Sequence, residues 1–354
     1  MRIALSPSVQ LAALAVALLP LACNSLLGLE TFKDADGGVG GSATGGSGGG
    51  MGGSIPTGLS CEELDADCGP DPIESCCAAK LVPGGEFDRI NDENYPAKVE
   101  PFWLDRYEVT VGRFRKFVEA GHGTRATPPA SGSGENPNLP TAESGWNEEW
   151  NNTYLAADTT ALKNALKCGT QSLYTWRDSV GPAGDETLPI NCLTWFDAFA
   201  FCIWDGGRLL TEAEWKFAAA GGDNKRVYPW LDPMAPPIPI PIDCDYASYD
   251  CSCTGNATCV FTDITFVGIK LPGNGLFGHA DLAGNMLEWT LDWYVDPYTA
   301  GLCDNCANLG PGHQYRVLRG GSFTQQEEHL TTTDRGSGTP SDRYPGYGVR
   351  CARD

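Results

Sequence analysis

The chain is short of positive charge and of histidine, and each shortage removes a class of function. Only 24 lysines and arginines stand against 45 aspartates and glutamates in 354 residues, a formal charge of −21. Nucleic-acid phosphates are repelled by such a balance, so no nucleic-acid partner is expected. The four histidines, His122, His279, His313 and His329, form no His-x-x-x-His or Glu-x-x-His grouping. Each is therefore expected at the surface rather than on a metal. Outside the Gly/Ser-rich stretch at residues 37–54 there is no Gly-x-Ser-x-Gly, which removes the serine elbow of one hydrolase class, and there is no internal repeat. Beyond residue 21 no apolar run approaches the roughly 20 residues of a membrane-spanning helix.

Cysteine, by contrast, is abundant, with fifteen in the chain. The N-terminus carries Arg2, an apolar run from Leu11 to Leu21, and then Ala22-Cys23, the pattern of an export signal. Cys23 directly after that run reads as a lipidation site. The expectation is a membrane-anchored lipoprotein of the bacterial cell envelope, touching the membrane through its lipid only, or a secreted protein if the signal is an ordinary one. In an exported chain the other fourteen cysteines are expected as disulfides, whose connectivity the spacing does not give. Residues 1–23 are thus assigned to the signal, 24–58 to a Gly/Ser-rich linker, 59–79 to a cysteine-rich collar and 80–354 to the main domain. Cys61, Cys68, Cys76 and Cys77 of the collar read as a disulfide knot, with a zinc knot as the alternative.

The main domain is organised around Thr194–Gly222. Thr194 caps a first helix, with Asp197 at its third position, and Gly206-Gly207 ends it. Thr211 and Glu214 form a capping box for a second helix, with Leu210 and Trp215 at staple positions and Gly221-Gly222 after its alanines. Trp195, Phe199 and Cys202 on one, and Trp215 and Ala219 on the other, fall at helical spacing and are expected in one core. Val111–Ala120 reads as an amphipathic helix ended by Gly121. Residues 81–87 read as a first strand with a hairpin, and Phe102–Thr110 as a second strand. Residues 122–187 read as long loops around one short helix near Thr159–Lys167, with Trp146, Trp150 and Trp176 scattered among them. Pro229–Pro241 is an irregular excursion, followed by a second cysteine cluster, Cys244, Cys251, Cys253 and Cys259.

Six segments in order carry a resemblance. They are Leu104-Asp-Arg-Tyr-Glu-Val-Thr-Val, Trp204-Asp-Gly-Gly-Arg-Leu-Leu-Thr-Glu-Ala-Glu-Trp-Lys-Phe-Ala-Ala, Tyr228-Pro-Trp230, Gly278-His-Ala-Asp-Leu-Ala-Gly-Asn-Met-Leu-Glu-Trp289, Arg316-Val-Leu-Arg-Gly-Gly-Ser-Phe323 and Gly348-Val-Arg-Cys-Ala-Arg353. Residues 80–354 are similar to the formylglycine-generating enzyme family, the sulfatase-modifying factors. The resemblance implies an irregular α+β fold related to C-type-lectin-like domains, loop-rich and disulfide-stapled. It also implies oxidation of a sulfatase cysteine to formylglycine at two reactive cysteines that hold copper(I), a soft ion suited to thiolates. Here those two positions are Gln325 and Leu330. Neither is a thiol, so no catalytic residue is assigned and copper is not expected.

Cys303 and Cys306, in a Cys-x-x-Cys spacing upstream, read as loop disulfides rather than a relocated reactive pair; a zinc site with Cys251 and Cys253 is the other alternative. The resemblance further implies a Cys202–Cys351 bridge. It implies calcium held by the Asp281 and Glu288 side chains with the Gly284 and Met286 carbonyls, a set of hard oxygens. Arg319 and Arg350, beside glycines, are expected to pair with carboxylates. The favoured function is a non-catalytic exported member whose groove, with exposed tryptophans, binds a polypeptide or glycan. The alternative is an oxidoreductase converting protein cysteine to formylglycine through a rearranged site.

Overall fold

The computed structural model describes residues 58–354 apart from 65, 71–72, 140–142, 170–171, 182–184, 232–241, 252 and 257. The signal, Cys23, all but the last residue of the linker, and most of Pro229–Pro241 lie outside the described residues. Among the described residues no helix is long and apolar enough to cross a membrane.

The elements are short and mixed, as in an α+β fold. The strands are β1 (Asp67–Cys68), β2 (Glu74–Ser75), β3 (Ala79–Val82), β4 (Gly85–Asp88), β5 (Pro96–Val99), β6 (Phe102–Asp105) and β7 (Arg208–Leu209). They continue as β8 (Leu287–Trp293), β9 (Cys303–Asp304), β10 (Arg316–Arg319), β11 (Gly336–Gly338), β12 (Tyr347–Gly348) and β13 (Cys351–Arg353). The helices are α1 (Val111–Glu119), α2 (Trp150–Tyr154), α3 (Thr159–Ala165), α4 (Trp195–Trp204) and α5 (Glu212–Ala220). Two four-stranded sheets carry the domain, in the orders β11-β10-β8-β12 and β3-β6-β13-β7. The C-terminal strand is central, because Ala352 lies opposite both Leu104 of β6 and Arg208 of β7.

The organising stretch folds as its caps dictate. Thr194 Oγ1 accepts from the Asp197 amide and Asp197 Oδ2 from the Thr194 amide, both at 3.0 Å. The same reciprocal pair joins Thr211 and Glu214 at 3.1 and 2.7 Å, satisfying amides that a helix start leaves free. Gly221 ends α5 in the left-handed region at φ 69°, where a side chain would be strained. One core cluster gathers α1, α4 and the tryptophans; a second packs α5 against β4, β5 and β6.

Four expectations are corrected. Residues 81–87 do not form a hairpin: β3 pairs with β6, whereas β4 pairs with β5 in a third sheet. Gly84 is where the chain crosses over, since a Cβ there would lie 2.6 Å from the Val99 carbonyl oxygen. The second strand stops at Asp105, and Val109 instead bonds Val349 and Ile190. The 122–187 region holds two helices, α2 as well as α3, and its tryptophans are not exposed. Trp146 and Trp176 are buried, and Trp150 packs edge-on against Trp146 and Trp195 with centroids 5.3 Å apart. His279 is fully buried rather than superficial.

The fourteen cysteines from Cys61 to Cys351 form seven disulfides. They are Cys61–Cys77, Cys68–Cys76, Cys168–Cys192, Cys202–Cys351, Cys244–Cys253, Cys251–Cys259 and Cys303–Cys306. The sulfurs of both zinc alternatives are used in these bridges. Cys202–Cys351 ties α4 to the central strand β13.

Candidate functional site

β10 leads into Gly320-Gly321-Ser322, and the chain then turns sharply. Gly321 has φ 72°, and a Cβ on it would lie 2.7 Å from the Leu330 side chain and 2.8 Å from the His329 carbonyl oxygen. This close approach brings residues 325 and 330 together with the second cysteine cluster. The Gln325 carbonyl accepts from the Asp250 amide at 2.7 Å, and the Phe323 carbonyl from the Cys251 amide at 2.8 Å. Leu330 is fully buried with Ala247 and Ala283, with Tyr228, Trp230, Ile242 and Tyr249 packed around them. Gln325 Oε1 is buried without a hydrogen-bond partner among the described residues. Where the resemblance would place a thiolate pair, there is thus an amide and an aliphatic plug in an aromatic shell. Neither group donates electron density to a soft metal or carries a redox-active electron pair.

Beneath this lies a buried charge centre. Glu288 Oε1 accepts from Arg350 Nε at 2.7 Å and pairs with its Nη2 at 2.6 Å, while Glu288 Oε2 accepts from Trp215 Nε1 at 2.8 Å. Arg350 also donates to the carbonyls of Asp105, Arg106 and Ala280. Arg350 therefore pairs with a carboxylate as expected, and Arg319 lies 3.8 Å from Glu212. Asp281 Oδ2 accepts from the Gly268 amide at 2.6 Å. Glu108, which sequence reasoning missed, accepts from Asn285 Nδ2 and the Met286 amide at 2.7 and 2.9 Å.

Burial pushes Asp281 up to about 6, with the nearby Glu288 adding to it. Burial likewise pushes Glu108 well above the usual carboxylate range, with Asp281 and Glu288 contributing. Three buried carboxylates thus share the guanidinium of Arg350. Glu288 differs from the expected ligand set, in that both its oxygens already serve Arg350 and Trp215. Among the described residues no three histidine, cysteine, aspartate or glutamate side chains converge as a metal cluster.

Two cavities open elsewhere. One, of about 560 Å³, is lined by Trp146, Trp150, Trp195, Trp293 and Arg316. The Arg316 guanidinium is sandwiched 3.5 Å from the Trp293 ring centre and 4.0 Å from that of Trp195. The other, of about 240 Å³, brings together Arg89, Glu212, Asp292, Tyr298, Arg335 and the Cys303–Cys306 bridge. Its residues come from four separated stretches of the chain, so no local motif announced it. The available signal was the acidic residues Glu212 and Asp292 in the largely buried elements α5 and β8.

The sulfatase-modifying factor enzyme 1-like domain family matches residues 65–354. The chain is 30% identical over 311 residues to a formylglycine-generating enzyme of Streptomyces coelicolor, covering 77% of this chain and 88% of that one. It is 28% identical over 305 residues to the formylglycine-generating enzyme of Bos taurus, covering 77% and 74%. It is equally, at 28% over 316 residues, similar to the inactive C-alpha-formylglycine-generating enzyme 2 of Mus musculus, covering 83% and 90%. Among solved structures, PvdO from Pseudomonas aeruginosa matches 78% of this chain and 94% of its own, at 20% identity and a TM-score of 0.49.

Proposed function

Because the chain belongs to the sulfatase-modifying factor (formylglycine-generating enzyme) family, we propose that it is a member that has lost the oxidase chemistry and kept the scaffold for binding. The observation that carries this is Leu330, buried as an aliphatic plug at a position where the family chemistry needs a thiolate. The paired state of all fourteen cysteines in the described region supports it, since thiolate and not disulfide is the copper ligand and nucleophile. The relatives include inactive members as well as enzymes. The reading is tested by offering the native protein copper(I), oxygen and a peptide with the sulfatase cysteine motif; no aldehyde is expected.

The ligand in this proposal is a polypeptide or glycan held at the tryptophan-lined cavity. Trp150 and Trp293 are half-buried there, so their edges remain for apolar or sugar faces. The protein works at the cell surface, tethered through Cys23. Cys23→Ala is expected to move it from the membrane to the soluble fraction, and an unchanged distribution would remove the anchor from the account.

Calcium belongs to the same proposal. Asp281, with the carbonyls of Gly284 and Met286, would hold it, and its charge would offset the buried carboxylates of Glu108 and Asp281. A chelator is expected to lower the melting temperature by several degrees and added calcium to restore it, because a ligand that binds only the folded state stabilises it by mass action. Asp281→Asn should abolish the difference. Equal melting curves for the native chain with chelator and with calcium would exclude the ion.

A further inference from the structure

The 240 Å³ cavity is built by the first turn of α5, the end of β8, the loop 295–302, the Cys303–Cys306 bridge and Arg89. Two of its charged groups complete each other. Arg335 donates to Glu212 from Nε at 2.6 Å and from Nη2 at 2.9 Å, and the Tyr298 hydroxyl adds a bond to Glu212 at 2.8 Å. Two others do not. Asp292, 5% exposed, accepts from the amides of Glu212 and Asn308 but makes no ion pair among the described residues. Arg89, 7% exposed, lies over the Tyr298 ring at 4.5 Å and donates once, at 3.3 Å, to the Thr299 carbonyl. Its Nε has no partner among the described residues.

A buried carboxylate and a buried guanidinium thus line one cavity, and neither is ion-paired. Burial accordingly pushes Asp292 up to about 7, with Glu212 beside it, and pushes Arg89 down. A buried charge without an ion-pair partner is unfavourable, and a ligand that carries both signs would supply a partner to each of these two lining groups. Ala213, Val295, Ala300 and Leu302 add apolar walls, and Thr299 and Asn308 complete the polar lining. At about 240 Å³ the cavity suits a compact ligand.

We propose that this cavity binds a small zwitterion of the free α-amino-acid class, with its ammonium against Asp292 and its carboxylate against Arg89. The site is independent of residues 325 and 330, and it stands whether or not those positions are catalytic.

The test is calorimetric titration of the native protein with each of the free proteinogenic α-amino acids, followed by the N-acetyl and carboxamide forms of any that bind. Binding of at least one compact amino acid is expected. Each blocked form should bind at least about tenfold more weakly, the size of a lost hydrogen bond to a charged group. Arg89→Met should remove the discrimination between acid and carboxamide while leaving a normal melting transition. Blocked forms that bind as tightly as their parents, or a panel in which nothing binds, would overturn the proposal. The blocked ligands decide the matter on the native chain even if the variant fails to fold.

Discussion

Replacing Asp205 with alanine is expected to lower the unfolding free energy by about 3–5 kcal/mol, because it strips a buried charge network of one partner. Asp205 Oδ2 pairs with Arg113 Nη2 at 2.6 Å and with Arg353 Nη2 at 2.5 Å, and its Oδ1 accepts from the Ser60 amide at 2.7 Å. The second carboxylate, Asp105, pairs with Arg113 at 2.9 Å and also with Arg353. Burial pushes the Asp105 carboxyl up, but the guanidiniums of Arg113 and Arg353 outweigh it and hold the group below its usual range. All four side chains are buried, so removing one acid leaves two guanidiniums facing one carboxylate away from water. At roughly 2–4 °C per kcal/mol in a domain of this size, the melting temperature should fall by about 10 °C. The collar should loosen too, since Ser60 also accepts from Arg113 Nε at 3.0 Å. Urea unfolding of the variant checks this; a loss below about 1 kcal/mol would mean that the network is solvated and contributes like a surface pair.

The second large effect is expected from Cys202 and Cys351. Their bridge spans 149 residues, and on chain-entropy grounds closing so long a loop stabilises by on the order of 4 to 5 kcal/mol. Both cysteines are fully buried in the core that joins α4 to β13, so the double alanine variant also leaves a void. A loss of about 5 kcal/mol is expected by denaturant titration under oxidising conditions. By the same relation, the Cys303–Cys306 bridge closes only a few residues and contributes about 2 kcal/mol. Reversing that order would show that the denatured chain, rather than loop length, controls these bridges.

Much of the scaffold was legible because its signals are local. Thr194 with Asp197, and Thr211 with Glu214, announce two helix starts within four residues each, and the structure forms both capping boxes. The hairpin at residues 81–87 failed for the opposite reason. A Pro-Gly-Gly turn between apolar residues fits either a hairpin or a crossover, and the choice is made by Phe102–Asp105 and Pro96–Val99, which compete for the two strands. The tryptophans of the 122–187 region are scattered among polar loop residues, yet α4 presents Trp195, Phe196 and Phe199 to Trp146 and Trp150 and draws these two inward. His279, expected at the surface, is fully buried between Gly278 and Ala280. Its lack of any metal-type grouping was legible, but its place in the core was not. Gln325 and Leu330 were legible as chemical absences, whereas the plug that Leu330 forms depends on the distant Ala247 and Ala283.

The central claim is that the scaffold remains while the oxidase chemistry is gone. It is tested most directly on the purified, folded, unreduced protein by counting reactive thiols, titrating copper(I) and following a cysteine peptide of the sulfatase motif by mass. The account predicts no reactive thiol from Cys61 to Cys351, no stoichiometric copper binding and a peptide of unchanged mass. Two reactive thiols, bound copper and conversion of the peptide to its aldehyde would contradict it, and would place the chemistry on cysteines away from Gln325 and Leu330.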